Sequence, residues 1–372
     1  MSQASRLVFV TQVIDPAHPV LGITLDLVRA LGAQLDVTVI ANSVSGMPEG
    51  LPAEVISLGK ESGAPRSVRT ARYLRAVETV TRHGLAGRAA ALLAHMCPIY
   101  LTTAAPIAKP RGVRMLLWYA QAGADRWLRV AELAADAVLT SMPGAYPGRS
   151  GTKLVPIGQA IDTTRFAFTP RQRSGALQLL AIGRTAAVKR YEVAIRAVAE
   201  VRGAGEDVRL TILGPSTTPG EVAERARLAT LIEQLGLEEA VQLGGPLPRE
   251  QVPAAIAGCD ALVNVTASGS ADKSAFEAMA VGRPVLTANA TLATLVDHLA
   301  LPLHVPGPTA RDLEGAIRAL VHAAPGVANQ VGWELHQRVL ASHSLEHWAA
   351  QVAGQASGLA PGTASPLHSW GR

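Results

Sequence analysis

Short apolar runs alternate with helical stretches along most of the chain, and this alternation constrains the fold more than any other feature. Leu7–Val13 and Leu177–Ile182 are two such runs, and each precedes a segment with helical periodicity. Strands separated by helices are typical of parallel sheets covered by helices on both faces. The sequence therefore predicts an α/β protein with two doubly wound, Rossmann-like domains facing across a cleft, with ligands at the carboxyl ends of the strands.

The length of 372 residues suits two domains. Periodicity is lost over residues 162–172, which indicates a linker. We therefore expect an N-terminal domain over residues 1–170 and a C-terminal domain over residues 171–340. A helix over residues 341–356 is expected to return to the N-terminal domain, followed by a loose tail over residues 357–372 that is rich in Gly, Pro, Ala and Ser.

The composition excludes several classes of protein. Hydrophobic residues make up 48% of the chain and charged residues 17%, so the chain can bury a sizeable core and is not disordered. No apolar run is long enough for a membrane-spanning helix, and the first residues do not resemble a secretory signal. Cys97 and Cys259 are far apart, which argues against a disulfide framework and a zinc site. We expect a cytoplasmic protein.

The charge is distributed unevenly along the chain. Residues 1–172 contain 18 Lys and Arg against 11 Asp and Glu, a net charge of +7, whereas the remainder has a net charge of −2. This asymmetry suggests an anionic partner for the first half: a phosphate-bearing ligand, an anionic membrane or nucleic acid. Nucleic acid is disfavoured, because few aromatic residues accompany the basic ones.

Arginines recur at every third position of one predicted helix. This spacing produces a drifting stripe on a helix surface. The stripe is compatible with a weak membrane contact, with an acceptor phosphate, or with a plain solvated face. Its members are Arg66, Arg69, Arg72 and Arg75, with Arg82 and Arg88 beyond them.

A dinucleotide-binding enzyme is the first alternative for such a fold. It requires G-x-G-x-x-G directly after a strand. Neither Leu7–Val13 nor Leu177–Ile182 is followed by that pattern. Instead, Gly183-Arg184 follows the second of these strands, with Lys189 five residues later. The glycine permits a sharp turn, and the two cations suit a diphosphate, although a solvated loop is the alternative.

A second cluster of candidate residues follows the predicted strand Ala261–Val265. The small residues Ser268–Ser270 precede a helix that starts near Asp272-Lys273, so the amide-rich helix start can face phosphate oxygens. Glu277 lies about one turn into this helix, where its carboxylate can reach two vicinal ribose hydroxyls. An exposed glutamate in the first turns of a helix is the structural alternative for Glu277.

At this point the chain resembles a known family. Arg184–Lys189 and Glu277-Ala-Met-Ala with Gly282-x-Pro284 resemble the donor half of family-four retaining glycosyltransferases of the GT-B fold. The resemblance covers about residues 7–340. Within the first half it rests on similarity to one bacterial branch of that family at Thr11–Pro16, Pro19–Gly22, Ser57–Glu61, His95-Met96, Pro98–Tyr100, Leu117–Tyr119, Ile157-Gly158 and Ile161-Asp162.

The resemblance implies roles for residues that bind the donor. Arg184 and Lys189 would hold the diphosphate of a nucleotide sugar, and Glu277 would hold its ribose. Leu247 would contact the base through its backbone. Two glycines would shape the pocket, Gly22 by close approach to the phosphate and Gly214 from the adjacent strand. The backbone amides of Ala271, Asp272 and Lys273 would face the sugar and the distal phosphate, and Ser270 precedes them in the donor-binding loop.

The resemblance also implies residues on the acceptor side. His95 would face the reacting centre, so the candidate catalytic residues are His95, Arg184 and Lys189, although a buried histidine bonded to backbone is the alternative for His95. Asp15 and His18 are acceptor candidates, and an Asp-Pro turn explains Asp15 equally well. Gln121 and Gln159 stand where relatives tend to have histidine, and they are acceptor candidates as well.

These departures bear on the expected function. Gly269 occupies the position of the first of two family glutamates, and glutamine cannot titrate as histidine does. We expect a retaining transferase that moves a sugar from a UDP- or GDP-sugar to a small acceptor in sugar-antibiotic biosynthesis, without metal or other cofactor. Three alternatives remain open: surface-polysaccharide or glycolipid synthesis, a catalytically degenerate binding subunit, and an epimerase or phosphorylase on the same fold.

Overall fold

The computed structural model describes residues 5–18, 21–47, 49–82, 90–124, 126–149, 151–266, 269–307 and 309–358. The chain divides into two compact units, which we call the N-terminal and the C-terminal unit. Of the described residues, the N-terminal unit comprises those up to Ala160 together with residues 342–358, and the C-terminal unit comprises Ile161–Ala341. The larger part of the expected tail, residues 359–372, lies outside the described residues.

The N-terminal unit is built on a sheet of seven parallel strands. Their order across the sheet is β3-β2-β1-β4-β5-β6-β7. The strands are β1 (Arg6–Ile14), β2 (Asp36–Val44), β3 (Glu54–Ser57), β4 (Ala90–His95), β5 (Arg114–Trp118), β6 (Ala137–Thr140) and β7 (Leu154–Pro156). The helices connecting them are α1 (Thr24–Gly32), α2 (Arg66–Arg82), α3 (Pro98–Ala108) and α4 (Leu128–Ala134).

Successive residues of β1 show why this sequence forms a central strand. Leu7 and Phe9 belong to the hydrophobic core on one face of the sheet, and Val8 and Val10 belong to the core on the other face. All four side chains are at most 3% exposed. A strand buried on both faces needs a continuous apolar run rather than alternation, which is the pattern that the sequence has.

The C-terminal unit repeats this architecture with five parallel strands, in the order β10-β9-β8-β11-β12. The strands are β8 (Leu177–Ile182), β9 (Val208–Leu213), β10 (Val241–Leu243), β11 (Ala261–Asn264) and β12 (Val285–Thr287). Its helices are α5 (Tyr191–Gly203), α6 (Pro219–Gln234), α7 (Val252–Gly258), α8 (Lys273–Val281), α9 (Ala290–Val296), α10 (Ala310–Val321) and α11 (Val327–Ser342). Both strand orders are Rossmann-like, so the predicted α/β class with two such domains is confirmed.

The boundary between the units lies at Ala160–Ile161, so the expected boundary at residue 170 falls inside the C-terminal unit. The physical reason is that the predicted linker packs on that unit. The Thr169 amide donates to the Val281 carbonyl at 3.1 Å. The Phe168 ring lies edge-on to Trp333, with a centroid distance of 5.0 Å.

The last helix, α12 (Leu345–Ala356), belongs to the N-terminal unit. Its Trp348 is fully buried and meets Trp118 of β5 edge-to-face at a centroid distance of 5.6 Å. The Ser344 hydroxyl caps the helix start by accepting a hydrogen bond from the His347 amide at 3.2 Å. This helix therefore completes one core of a sheet whose strands come from the other end of the chain.

No helix among the described residues is both long enough and apolar enough to cross a membrane.

We expect Trp348→Ala to destabilise the N-terminal unit by about 3 to 5 kcal/mol, because it removes a large buried aromatic side chain from a packed core. The measurement is chemical denaturation followed by circular dichroism. Leu133→Ala is the control, since Leu133 is 79% exposed, and it should cost less than about 0.5 kcal/mol. A cost below about 1 kcal/mol for Trp348→Ala would show that α12 does not complete this core.

Candidate functional site

The loops after β8, β9 and β11 meet at one edge of the C-terminal sheet, which we call the carboxyl edge. A Cβ atom on Gly214 would lie 1.9 Å from the carbonyl oxygen of Gly183, so only glycine fits at this position. The Gly183 amide donates to the Leu213 carbonyl at 2.9 Å. The backbones after β8 and β9 are therefore in direct contact.

Lys189 lies over the first of these loops. A Cβ atom on Gly183 would lie 3.0 Å from Lys189 Cε, so the glycine makes room for the lysine side chain. The Lys189 ammonium donates to both carboxylate oxygens of Asp272 at 2.8 Å. The Lys189 side chain is 17% exposed and that of Asp272 is 13% exposed, so the ion pair is largely withdrawn from water.

Three more side chains stabilise the Asp272 carboxylate. Asn264 Nδ2 donates to it at 2.7 Å and Thr266 Oγ1 at 2.6 Å. The Ser270 hydroxyl lies at 3.4 Å from the other carboxylate oxygen. Burial alone would raise the pKa of Asp272, but the Lys189 charge and these hydrogen bonds outweigh it and lower the pKa. Asp272 therefore stays ionised and fixes the position of the Lys189 ammonium.

Arg184 has its own carboxylate partner. Its Nη1 donates to Glu221 Oε1 at 2.7 Å, and the Arg184 side chain is 61% exposed. Glu221 is buried in the first turn of α6, where it forms a capping box with Thr218. Hydrogen bonds from the Thr217 amide and hydroxyl lower the pKa of Glu221, and the Arg184 charge lowers it further. The guanidinium is thus held at one corner and leaves most of its surface open to solvent.

Helix α8 presents Glu277 near this edge. The Ser274 hydroxyl donates to the Ile182 carbonyl at 3.3 Å, which ties the first turn of α8 to the end of β8. Glu277 Oε1 lies 3.7 Å from Lys273 Nζ, and its side chain is 14% exposed. The structure therefore places Glu277 one turn beyond the contact with β8.

The loop before α8 is anchored on its other side by α9. The Ser270 carbonyl accepts a hydrogen bond from Asn289 Nδ2 at 2.5 Å, and the Gly269 amide donates to Thr291 Oγ1 at 3.1 Å. Ala271 is buried beside them. Ala267 and Ser268, the first residues of the small-residue loop, lie outside the described residues.

Leu247 lies in the loop after β10, and it is half-buried. Arg225 holds the start of this loop by donating to the Leu243 and Gly244 carbonyls, both at 2.7 Å. The Gly214 amide donates to the Gly245 carbonyl at 3.0 Å. The predicted base-contacting loop is thus attached to the predicted pocket glycine.

Two carboxylates at this edge were not predicted as side-chain partners of the cations. The family resemblance implies only a backbone role for Asp272, and no functional role was predicted for Glu221. The pattern Thr218-x-x-Glu221, a capping box that starts a helix, could have indicated that Glu221 is buried at a helix start. Nothing in the sequence indicates that Asn264 and Thr266 donate to Asp272, because those contacts exist only after folding.

In the N-terminal unit, His95 ends β4 and is 5% exposed. Its Nδ1 lies 3.1 Å from Thr11 Oγ1, and its ring stacks on Phe9 with a centroid distance of 5.4 Å. Burial lowers the pKa of His95 to about 4, so the ring is neutral at physiological pH. A neutral ring can orient a hydroxyl by hydrogen bonding but supplies no positive charge.

The loop after β1 contains Asp15, His18 and Gly22. Asp15 Oδ1 accepts from the Ala17 amide at 2.9 Å, which is the turn foreseen as its alternative role. His18 Nδ1 accepts from the Leu21 amide at 2.9 Å. A Cβ atom on Gly22 would lie 2.8 Å from the His18 carbonyl oxygen, so the tight turn requires glycine.

Both glutamines follow strands of the N-terminal sheet. Gln121 comes after β5, and its Nε2 donates to the Tyr119 hydroxyl at 2.6 Å. Gln159 comes after β7 and is half-buried. Since all seven strands are parallel, these two residues lie at the same edge of the sheet as His95 and the loop after β1.

The arginines of α2 do not form one uniform stripe. Arg69 Nε donates to the Ala64 carbonyl at 3.1 Å, and Arg72 Nη1 donates to the Leu58 carbonyl at 3.0 Å. These two therefore hold the loop after β3, and Arg69 is half-buried, whereas Arg66, Arg72 and Arg75 are exposed. Arg88 lies outside the described residues.

Within the described ranges, no group of three His, Cys, Asp or Glu side chains could hold a metal ion.

Comparison with known proteins shows what part of the chain is similar to. Residues 162–330 match the family described as "Glycosyl transferases group 1". A 2-deoxystreptamine glucosyltransferase from Streptomyces kanamyceticus is 31% identical over 104 residues, 28% of this chain and 25% of that protein. WcaL from Escherichia coli, named as a colanic acid biosynthesis glycosyltransferase, is 32% identical over 134 residues, 34% of this chain and 32% of that protein. These matches span between a quarter and a third of each relative.

Solved structures resemble the whole chain in fold. HepE from Anabaena, in complex with UDP and glucose, has a TM-score of 0.71 at 18% identity, covering 95% of this chain and 99% of that one. Sucrose-phosphate synthase from Thermosynechococcus elongatus has a TM-score of 0.69 at 20% identity, covering 94% and 98%. Residues 162–330 therefore resemble the group 1 glycosyltransferases, and the predicted GT-B fold and the resemblance to a family-four glycosyltransferase are confirmed.

We expect Asp272→Asn to destabilise the C-terminal unit by about 3 kcal/mol, because it leaves a largely buried ammonium without its counter-ion. Adding Lys189→Met should recover part of this loss, as expected for two coupled residues. Chemical denaturation of the single and double variants measures both effects. The control is Asp207→Asn, which breaks an exposed ion pair with Arg202 and should cost less than about 1 kcal/mol. Equal, additive losses in the double variant would contradict the coupling.

We expect the stability of the N-terminal unit to depend on pH through His95. Because burial lowers the pKa of His95 from 6.5 to about 4, the unfolded chain binds a proton that the folded chain excludes as pH falls from 6.5 to 4. The depressed pKa of His95 therefore contributes to the free energy of unfolding above pH 6.5. About 3 kcal/mol of that free energy is lost as the pH falls to 4. In His95→Gln that loss should be absent, as measured by denaturation at several pH values. His322→Gln, which alters an exposed histidine, should retain the wild-type dependence, and an unchanged slope in His95→Gln would disprove the assignment.

Proposed function

We propose that this divergent family-four-type glycosyltransferase moves a sugar from a nucleotide diphosphate sugar to a small acceptor, with retention of configuration and without metal or other cofactor. One observation carries the proposal: Lys189, Arg184 and Glu277 lie around the end of β8 within the region that matches the family. Parallel sheets bind ligands at the carboxyl ends of their strands, which supports placing the donor there.

Arg184 is the main cation for the departing diphosphate. Negative charge grows on the diphosphate oxygen as its bond to the sugar breaks, and a guanidinium can stabilise that charge through two parallel hydrogen bonds. Arg184 is 61% exposed and engages Glu221 through Nη1. Its remaining N–H groups are therefore accessible to a ligand.

Lys189 has a smaller electrostatic role. An ammonium has three N–H donors, and two of them are directed at the carboxylate oxygens of Asp272. The third donor can bind a phosphate oxygen, in an orientation that Asp272 fixes. Because the Lys189–Asp272 pair is neutral overall, Lys189 contributes mainly by orienting the phosphate through a hydrogen bond and adds little net positive charge.

Glu277 accepts hydrogen bonds from two ribose hydroxyls.

The reaction follows a same-face course. An acceptor oxygen forms a bond to the anomeric carbon on the side from which the diphosphate leaves, and the electron pair of the broken C–O bond passes to the diphosphate oxygen. That oxygen takes the acceptor proton, so no strong general base is needed. The neutral His95 orients the acceptor, together with Asp15, His18, Gln121 and Gln159. We place the reaction in the cytoplasm.

The acceptor belongs to specialised metabolism. The similarity to a 2-deoxystreptamine glucosyltransferase supports an aminocyclitol-type or sugar-containing acceptor in antibiotic biosynthesis. Surface-polysaccharide synthesis is the second candidate, which the similarity to WcaL over 134 residues favours. The structurally similar HepE binds UDP and UDP-glucose, so UDP-sugars are the first donors to test.

We expect Arg184→Gln to lower kcat/KM by roughly 100- to 1,000-fold, because it removes charge stabilisation from the transition state. Glu277→Gln should chiefly raise KM for the donor, since ribose binding is the same in ground and transition states. Nucleotide release from UDP- and GDP-sugars, with and without aminocyclitol acceptors, measures these effects, and proton NMR of the product shows whether configuration is retained.

The control is Arg202→Gln, since Arg202 is a partly exposed arginine on α5 paired with Asp207 at 3.0 Å. It should leave kinetics unchanged. Full activity in Arg184→Gln would overturn the site assignment. Nucleotide-sugar binding by calorimetry, without release for any acceptor, would instead indicate a degenerate binding subunit, and inversion of configuration would exclude the same-face course.

A further inference from the structure

A cavity of about 570 Å³ lies at the opposite edge of the C-terminal sheet, where its strands begin. Leu177, the first residue of β8, lines it, as do Asp260 before β11 and Pro284 before β12. The six residues of β8 separate this edge from Gly183, a distance of roughly 20 Å at the usual rise per residue. The cavity is therefore distinct from the proposed donor site, and its volume suits a small molecule.

The polar lining of the cavity is predominantly basic. Arg171, Arg173 and Arg283 contribute three guanidinium groups, against the single carboxylate of Asp260. Asp260 is already engaged, because Arg171 Nε donates to one oxygen at 2.9 Å and the Gln178 amide donates to the other at 2.8 Å. One carboxylate cannot neutralise three guanidinium groups, so the cavity has an excess of positive charge.

Arg283 is the most unusual of these residues, since it is only 1% exposed. Its Nη1 donates to the Gly282 carbonyl at 3.2 Å and its Nη2 to the Ala257 carbonyl at 3.1 Å. Its Nε has no hydrogen-bond partner in the described part of the chain. A buried guanidinium bonded only to neutral carbonyls is costly unless an anion offsets its charge.

One helix end increases the positive potential of the cavity, and the negative end of a second helix is compensated. The first turn of α11 lines the cavity through Ala328 and Asn329, so the positive end of a 16-residue helix faces it. The negative end of α10 is neutralised, because Arg173 donates to the Leu320 and Val321 carbonyls at 3.1 and 2.8 Å. Asn329 also fixes the backbone of Arg171 through two hydrogen bonds of 2.9 Å. The basic groups are thus pre-positioned.

We propose that this cavity is a second ligand site of the C-terminal unit, which binds the phosphate or carboxylate group of a small molecule. Guanidinium groups bind both oxyanions through paired hydrogen bonds, so the structure identifies this shared chemistry. The site involves no residue of the proposed glycosyl transfer, and it stands whether or not that function is correct.

The test is calorimetric titration of the full chain with inorganic phosphate and, separately, with citrate, each against chloride at equal ionic strength. We expect saturable binding of at least one of the two anions, and the preferred anion distinguishes a phosphate from a carboxylate ligand. Arg173→Gln should weaken this binding about tenfold or more, because a charge-assisted hydrogen bond is lost. Absence of binding beyond chloride would overturn the proposal.

Asp260→Asn provides a test with the opposite sign. It removes the only carboxylate that the described part of the chain contributes to the lining, so oxyanion binding should tighten severalfold even where the protein becomes less stable. A purely structural role of these residues predicts no such gain. Arg202→Gln is the matched control and should leave binding unchanged.

Lys189→Gln separates this cavity from the donor site. The proposal predicts that phosphate or citrate binding persists in Lys189→Gln and weakens in Arg173→Gln. Binding that is lost in Lys189→Gln but retained in Arg173→Gln would place the anion at the carboxyl edge and refute the proposal. Equal affinity in Arg173→Gln, Asp260→Asn and the wild type would refute it as well.

Discussion

The ion pair between Lys189 and Asp272 is the contact on which the carboxyl edge of the C-terminal sheet depends. It joins the loop after β8 to the residue before α8, and these segments are 83 residues apart in the chain. Asn264 and Thr266 at the end of β11 hold the same carboxylate. The Asp272 carboxylate therefore fixes the loop after β8 to both ends of the loop between β11 and α8, which orients both Lys189 and the first turn of α8.

The two cations of this edge differ in their availability to a ligand. Lys189 is largely buried and matched by a carboxylate that accepts two of its donors. Arg184 is mostly exposed, and a ligand can bind it without displacing Glu221, which is held by Thr217 and Thr218. In the proposed reaction, the arginine thus supplies most of the charge stabilisation and the lysine supplies direction.

Local sequence patterns predicted the strands and helices that neighbouring residues determine. They did not predict the features that depend on contacts between residues far apart in the chain. The apolar runs predicted β1 and β8, and the small residues before Asp272-Lys273 predicted the start of a helix, where α8 (Lys273–Val281) begins. Helix α3 was missed, because its run Pro98–Ala108 has a proline inside and no polar face. Strand β7 has only three residues, too few for a period. The Glu221 and Asp272 carboxylates were missed as side-chain partners because they meet their cations 37 and 83 residues away.

The N-terminal unit indicates how the acceptor would be activated. Burial lowers the pKa of His95 to about 4, and the family resemblance implies that Gln121 and Gln159 replace imidazoles. Neither a buried neutral histidine nor an amide gains or loses a proton near neutral pH, so in the proposed reaction these three side chains would act through hydrogen bonds alone. A transferase whose acceptor-side residues cannot take up a proton needs another proton acceptor. The departing diphosphate, whose oxygen becomes more basic as the sugar bond breaks, can fill that role without any titrating residue.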